Sequence, residues 1–146
     1  MKRSELIRIF EDIYDKMLPL GVSKNIVINF RIPKEDSSKV FAYCTADIFI
    51  DDIKGTHIYN DFDDDFGSEI SLNPKLAKSN LECIRNTIAH ELIHTIKGCN
   101  NHGPKFLRIG KRAKKLLNLE NDVLRSGTKE ESVFLNWYWH FVRCIL

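Results

Sequence analysis

Between residues 4 and 18, Leu6, Ile9, Phe10, Ile13 and Met17 recur at helical spacing. This spacing keeps them on one face at 3.6 residues per turn and predicts an amphipathic helix, ended by Pro19-Leu20-Gly21. The segment NIVINFRI (25–32) is short, rich in β-formers and stopped by Pro33, so it predicts a strand. KVFAYCTADIFI (39–50) predicts a second. Residues 51–68 carry Asp51, Asp52, Asp61, Asp63, Asp64 and Asp65 and read as an acidic loop. SEISLN (68–73) alternates and is stopped by Pro74. It predicts a third strand, placed at a sheet edge because a proline so close limits pairing.

Ser79 and Glu82 have capping-box spacing ahead of an apolar-periodic run, which predicts a helix over 80–97 with Gly98 as its stop. Pro104 is a favoured first-turn residue and predicts a second helix, to about residue 118. The last segment ends in the aromatic run FLNWYWHFV, which fits either a strand or a helix. Helix, three strands and then helices predict a small α+β domain with a three-stranded sheet. A chain of 146 residues, 43% of them hydrophobic, is one domain's worth, so residues 1–146 are expected to form a single unit.

Charge and cysteine usage narrow the setting only a little. With a net charge of +2, any charge argument must be local. Cys44, Cys83, Cys99 and Cys144 form no C-x-x-C pair, which fits free thiols in a reducing compartment. The N-terminal apolar run is broken by Arg8, Glu11 and Asp12, unlike a secretory signal. No window approaches the ~18 apolar residues of a membrane span. The expectation is a cytoplasmic monomer with no membrane partner.

The chemistry concentrates in HELIHTIKGCNNHGPKF (90–106). On the predicted helix Leu81, Ile84, Ile88, Leu92 and Ile96 share one face, with Ala89 and Ile93 at its margin. His90 and His94 fall opposite, about 40° apart, so that two imidazoles can converge on one metal ion. Glu91, rotated by about 100°, is a poor ligand for that ion but can serve as a base for a water beside it. A catalytic zinc site needs a third ligand and one open position. His102 is the best candidate, since a glycine turn lets the chain reverse and present it. Cys99 is the alternative, though a lone cysteine is more often a small buried residue. His57 and His140 lack supporting context.

These residues resemble the SprT-like (Spartan-like) zinc metalloproteases, whose signature is H-E-x-x-H, a variable spacer and H-G-x-x-F at the next helix. Here the matching residues are His90, Glu91, His94, His102, Gly103, Pro104 and Phe106, and EISLNPKL (69–76) looks like the strand before the active helix. The resemblance is clearest over residues 65–117. It implies a zincin-like fold and one Zn²⁺ per chain held by His90, His94 and His102. It also implies a zinc endopeptidase in which Glu91 is the general base, with a protein or peptide as substrate. The chain departs from the metzincin pattern, because Gly98 and His102 sit too far along. It also departs from relatives with a C-terminal cysteine ribbon: only Cys144 stands where one would begin, so the ribbon is expected to be absent or truncated.

Other features are less specific. Glu69, Ile70, Ser71, Leu72 and Asn73 are the candidate substrate-binding strand, by strand addition. Tyr43, Tyr59 and Tyr138 are candidate oxyanion donors without positional support. Arg108, Lys111, Arg112 and Lys115 gather on one side of the 104–118 helix, a face suited either to solvent or to phosphates. Since Spartan-like proteins act on proteins crosslinked to DNA, the resemblance favours DNA as a partner. Asp61-Phe62-Asp63-Asp64-Asp65 begins like a calcium loop, but its glycine is one place late and Leu72 replaces the closing glutamate. Trp137, Tyr138 and Trp139 fit core packing better than base stacking. Two other functions remain open: a non-catalytic DNA-binding module stabilised by zinc, or a metal hydrolase acting on other bonds.

Overall fold

The computed structural model describes residues 1–33 and 41–123. The aromatic run with Trp137, Tyr138, Trp139 and His140, and also Cys144, lie outside the described residues. The elements are α1 (Arg3–Met17), β1 (Asn25–Asn29), β2 (Ala42–Phe49), β3 (Thr56–Tyr59), β4 (Phe66–Leu72), α2 (Leu81–His94) and α3 (Pro104–Leu117). A 3-10 turn at Leu18–Leu20 ends α1, and Gly21 closes it at φ 92°, a left-handed conformation that glycine adopts without a Cβ penalty.

The architecture is α+β, but the sheet has four strands in the order β2-β4-β1-β3. The additional strand is β3, within the predicted acidic loop. Its four residues pair antiparallel with β1, Ile58 opposite Ile26. β1 pairs parallel with β4, and β4 antiparallel with β2. The 68–73 segment is therefore interior, not at an edge. Pro74 lies beyond the last paired residue, Leu72, and costs the ladder nothing.

One core sets the layers. Leu6, Phe10, Ile13 and Met17 of α1 join Ile26, Ile28, Ile70 and Leu72 of the sheet and Ile84, Ile88 and Leu92 of α2. Phe106, Ile109, Ala113 and Leu117 bring in α3. Leu81, expected on the apolar face of α2, is 55% exposed because it stands at the helix start. Val27 and Ile50 are buried outside this cluster. Gly55 packs against Val27 and Ile28 so closely that a Cβ there would come within 2.4 Å of the Ile28 carbonyl. Among the described residues no helix is long and apolar enough to cross a membrane.

Two buried polar side chains organise the far end of the sheet. The Tyr14 hydroxyl donates to the Ser23 carbonyl at 2.7 Å and accepts from Asn60 Nδ2 at 2.9 Å. Asn25, 1% exposed, donates to the carbonyls of Asp61 and Asp64 at 2.9 Å and accepts from the N–H groups of Asn60 and Asp61 at 3.1 Å. The aspartate-rich loop is thus held by an amide, and the aspartates themselves cap local turns, as Asp64 does for Phe66 N–H.

Each such bond contributes about 0.5–1.5 kcal/mol net, and the orphaned loop groups add a desolvation cost. Asn25→Ala is expected to lower stability by about 2–4 kcal/mol in urea unfolding. A loss below about 0.5 kcal/mol would show that the loop holds itself.

Candidate metal centre

Asn80, one place after the predicted Ser79, caps α2 by accepting the Cys83 N–H at 2.8 Å. Glu82 does not close a capping box; it accepts the N–H groups of Glu120 and Asn121. Every residue from Ile88 to His94 is buried, so the polar side of this helix faces protein and not solvent. The helix also stops at His94, three residues before Lys97. Thr95 Oγ1 donates to the Leu92 carbonyl at 2.7 Å and accepts the Ser23 N–H at 2.9 Å. The chain then turns through Gly98 at φ 86°.

This early stop brings the Cys99 carbonyl back onto His94 Nδ1 at 2.9 Å. A carbonyl only accepts, so Nδ1 carries the proton and the neutral ring presents its Nε2 lone pair. His102 follows in the turn, just before Gly103 begins α3, where the Asn101 side chain accepts the Gly103 N–H at 3.0 Å.

The three rings converge on one point. Nε2 of His94 lies 3.1 Å from that of His90 and 3.0 Å from that of His102, and the third distance is 3.1 Å. His94 has spent its one proton on Cys99, so mutual hydrogen bonding cannot satisfy the triangle. Three nitrogens bound tetrahedrally at about 2.0–2.1 Å from one ion stand about 3.3 Å apart, close to what is found. The cluster is positioned to bind a metal ion. Burial lowers the His94 pKa, partly offset by the Cys99 bond, which favours the neutral, ligating form. Phe106 is the platform: its ring centroid lies 5.0 Å from His90, 5.0 Å from His94 and 4.8 Å from His102.

Glu91 stands beside the cluster, with Oε1 3.9 Å from His90 Nε2. It is fully buried, and neither carboxylate oxygen has a hydrogen-bond partner among the described residues. Burial pushes its pKa well above the usual carboxylate range. A cleft of about 300 Å³ adjoins the site, lined by Cys44, Thr45, Ala46, Asp47, His94 and Asn100. Its wall is β2, the edge strand of the sheet among the described residues. A bulge between Thr45 and Ile48, with Asp47 at φ 54°, kinks that strand beside the histidine cluster. Burial raises the Cys44 thiol well above its ordinary range, with the Glu91 and Asp47 charges adding, so it stays protonated.

Other candidates lie elsewhere. Cys99 contributes its carbonyl, and its thiol is not in the ligand cluster. His57 lies on β3, bonded to the Ile53 carbonyl and Tyr59. Tyr59 is bound to Asp51 at the sheet edge opposite β2. Tyr43 is on β2, at the margin of the core. The Glu69–Asn73 segment does not offer a free edge. Glu69, Ile70 and Ser71 are paired on both sides, Leu72 pairs with Ala42, and the Asn73 N–H donates to the Phe41 carbonyl. Arg108, Lys111, Arg112 and Lys115 are all exposed on α3. The roles of Phe106 as platform and of Cys44, Asp47 and Asn100 as cleft wall depend on the meeting of separate elements, which spacing alone does not reveal.

Two measurements check this geometry. Zinc content after dialysis is expected to be one per chain in wild type and in Cys99→Ala, and to be lost in His102→Ala; retention in His102→Ala would remove it from the ligand set. The second concerns the metal-free protein. Glu91 binds its proton more tightly folded than at the ordinary value of 4.5, so its contribution is full below pH 4.5 and is lost as pH rises through the raised folded value. His94 works oppositely: its contribution is full above 6.5 and is lost as pH falls below it. The stability difference between Glu91→Gln and wild type should therefore move in the variant's favour as pH rises above 4.5. A difference flat in pH would show that Glu91 is not desolvated.

A model of the SprT-like family matches residues 39–125, which include all three histidines, Glu91, Phe106 and the strand beside the cleft. No curated protein and no solved structure gives a match. The match spans more than half of the 146-residue chain and contains the whole metal centre, and the chain belongs to the SprT-like family.

Proposed function

We propose that the protein is a zinc-dependent endopeptidase. The observation that carries this reading is the fully buried Glu91, without a hydrogen-bond partner among the described residues, beside three converging imidazoles. A purely structural metal site has no use for such a group. Leaving a carboxylate unpaired and desolvated costs stability, and proton transfer is the work that repays it.

His90, His94 and His102 hold the ion, and the donor set of three neutral imidazoles suits zinc. When bound, zinc supplies Lewis-acid polarisation of a carbonyl and acidifies water towards a pKa of about 7. The protein's own residues do the rest. The Cys99 carbonyl fixes the His94 tautomer, and Phe106 holds all three rings in place. Glu91 takes the proton of the attacking water and returns it to the leaving amine nitrogen, its raised pKa bringing it nearer neutral pH. β2, the edge strand among the described residues, binds the peptide as an added strand along Thr45 to Asp47, drawing the scissile bond along the cleft between Thr45 and His94. All these groups come from one chain, which acts as a monomer in the cytoplasm. The exposed face of Arg108, Lys111, Arg112 and Lys115 supports action on DNA-associated proteins. The alternative of a closed zinc site that only braces a DNA-binding module is less well supported, since the Cys99 thiol is not in the cluster.

Glu91→Gln is the direct test. It is expected to keep one zinc per chain and to lower peptide cleavage by about 10²–10⁴-fold. Cleavage at the wild-type rate would end the general-base role, and a wild type that cuts no unfolded protein, with or without DNA, would end the peptidase reading.

A further inference from the structure

A second concave site lies at the end of the sheet where β1 finishes and β3 begins. This shallow recess of about 340 Å³ is lined by Arg3, Arg31 and Lys54, together with Asn29, Gly55 and Thr56 among others. Among the described residues none of its lining is acidic. Three cations come from three parts of the chain: the first turn of α1, the residues after β1, and the approach to β3. None of them is in an ion pair among the described residues. Repulsion between like charges gathered in one recess is unfavourable unless an anion offsets it.

Two of the cations are also held in place. The Arg3 guanidinium lies over the Phe30 ring, 4.9 Å from its centroid. Arg31 Nη2 donates to the Lys54 carbonyl at 3.4 Å. The nearby carboxylate, Glu69, is engaged by Asn29 Nδ2, whose Oδ1 accepts the Arg31 N–H at 3.1 Å. At Gly55 the backbone turns at φ 153° directly against β1, and a side chain there would collide with the Ile28 carbonyl.

We propose that this recess is a phosphate-binding site, separate from the metal centre and from the basic face of α3. Two guanidinium forks and an ammonium lining one recess match a tetrahedral oxyanion, which accepts paired N–H donors from arginine. The phosphate comes either from a nucleic-acid strand or from a free phosphate compound, and both present the same group to the same cations.

The test uses zinc-loaded full-length protein. Inorganic phosphate is titrated while the amide resonances of Gly55 and Thr56 are followed. In parallel, a single-stranded oligonucleotide is titrated by fluorescence anisotropy at several salt concentrations. Wild type is compared with Arg3→Ala/Arg31→Ala/Lys54→Ala and with a charge-reversed α3 variant at Arg108, Lys111, Arg112 and Lys115. Zinc content and thermal midpoint verify that each variant is folded. Saturable shifts at Gly55 and Thr56, abolished in the triple variant, are expected. A nucleic-acid source predicts in addition that the triple variant binds the oligonucleotide about tenfold or more weakly, the salt slope falling by about 0.7 per lost phosphate contact. Phosphate shifts without that loss assign the site to a free phosphate compound. If phosphate leaves both amides unmoved and only the α3 variant weakens oligonucleotide binding, the proposal is overturned.

Discussion

Everything near the histidine cluster follows from one constraint: three imidazole nitrogens converge on one point in a buried site. Two turns of a helix can align His90 and His94, but they cannot choose which nitrogen each ring presents. For His94 the choice is made by the Cys99 carbonyl, 2.9 Å from Nδ1. That carbonyl is in reach only because α2 ends at His94 and the chain doubles back through Gly98. The same reversal delivers His102. Helix termination, tautomer and third ligand are thus a single structural event, and Phe106 on the next helix closes it by packing against all three rings.

The placement of α2 carries a second cost. A helix with His90, Glu91 and His94 on it would ordinarily turn that side to water. Here β2 and α3 cover it, and burial drives both Glu91 and His94 towards their neutral forms. Neutral imidazoles ligate well, and a carboxyl with a raised pKa exchanges protons nearer neutral pH. The desolvation that weakens the metal-free fold is the same desolvation that favours the neutral form of His94, the form able to ligate.

Much of this was legible in local spacing. H-E-x-x-H, the glycine turn and H-G-x-x-F are short-range patterns, and the structure brings their three histidines together as a set. Strand order is a different matter, because it is decided by which backbones meet. Pro74 looked like a mark of an edge, yet it falls just after the last paired residue, and 68–73 lies in the middle of the sheet. THIY was hidden among aspartates: its four residues are too few to show a period, and its pairing depends on β1 some thirty positions earlier. The Ser79 cap differed by one residue, since Ser79 and Asn80 are both competent caps and the choice lies in the backbone. The place of β2 at the sheet edge beside the histidines could not be read before β4 was placed inside.

The family match begins at residue 39, but the fold does not. β1 is the parallel partner of β4, and α1 lays Leu6, Phe10, Ile13 and Met17 against Ile70, Leu72 and α2. Ser23 ties itself to Thr95 at the very turn that ends α2. The segment outside the recognisable block is therefore part of the packing that aims the block's histidines. A substitution on the buried face of α1 is therefore transmitted through packing to the helix that carries His90 and His94.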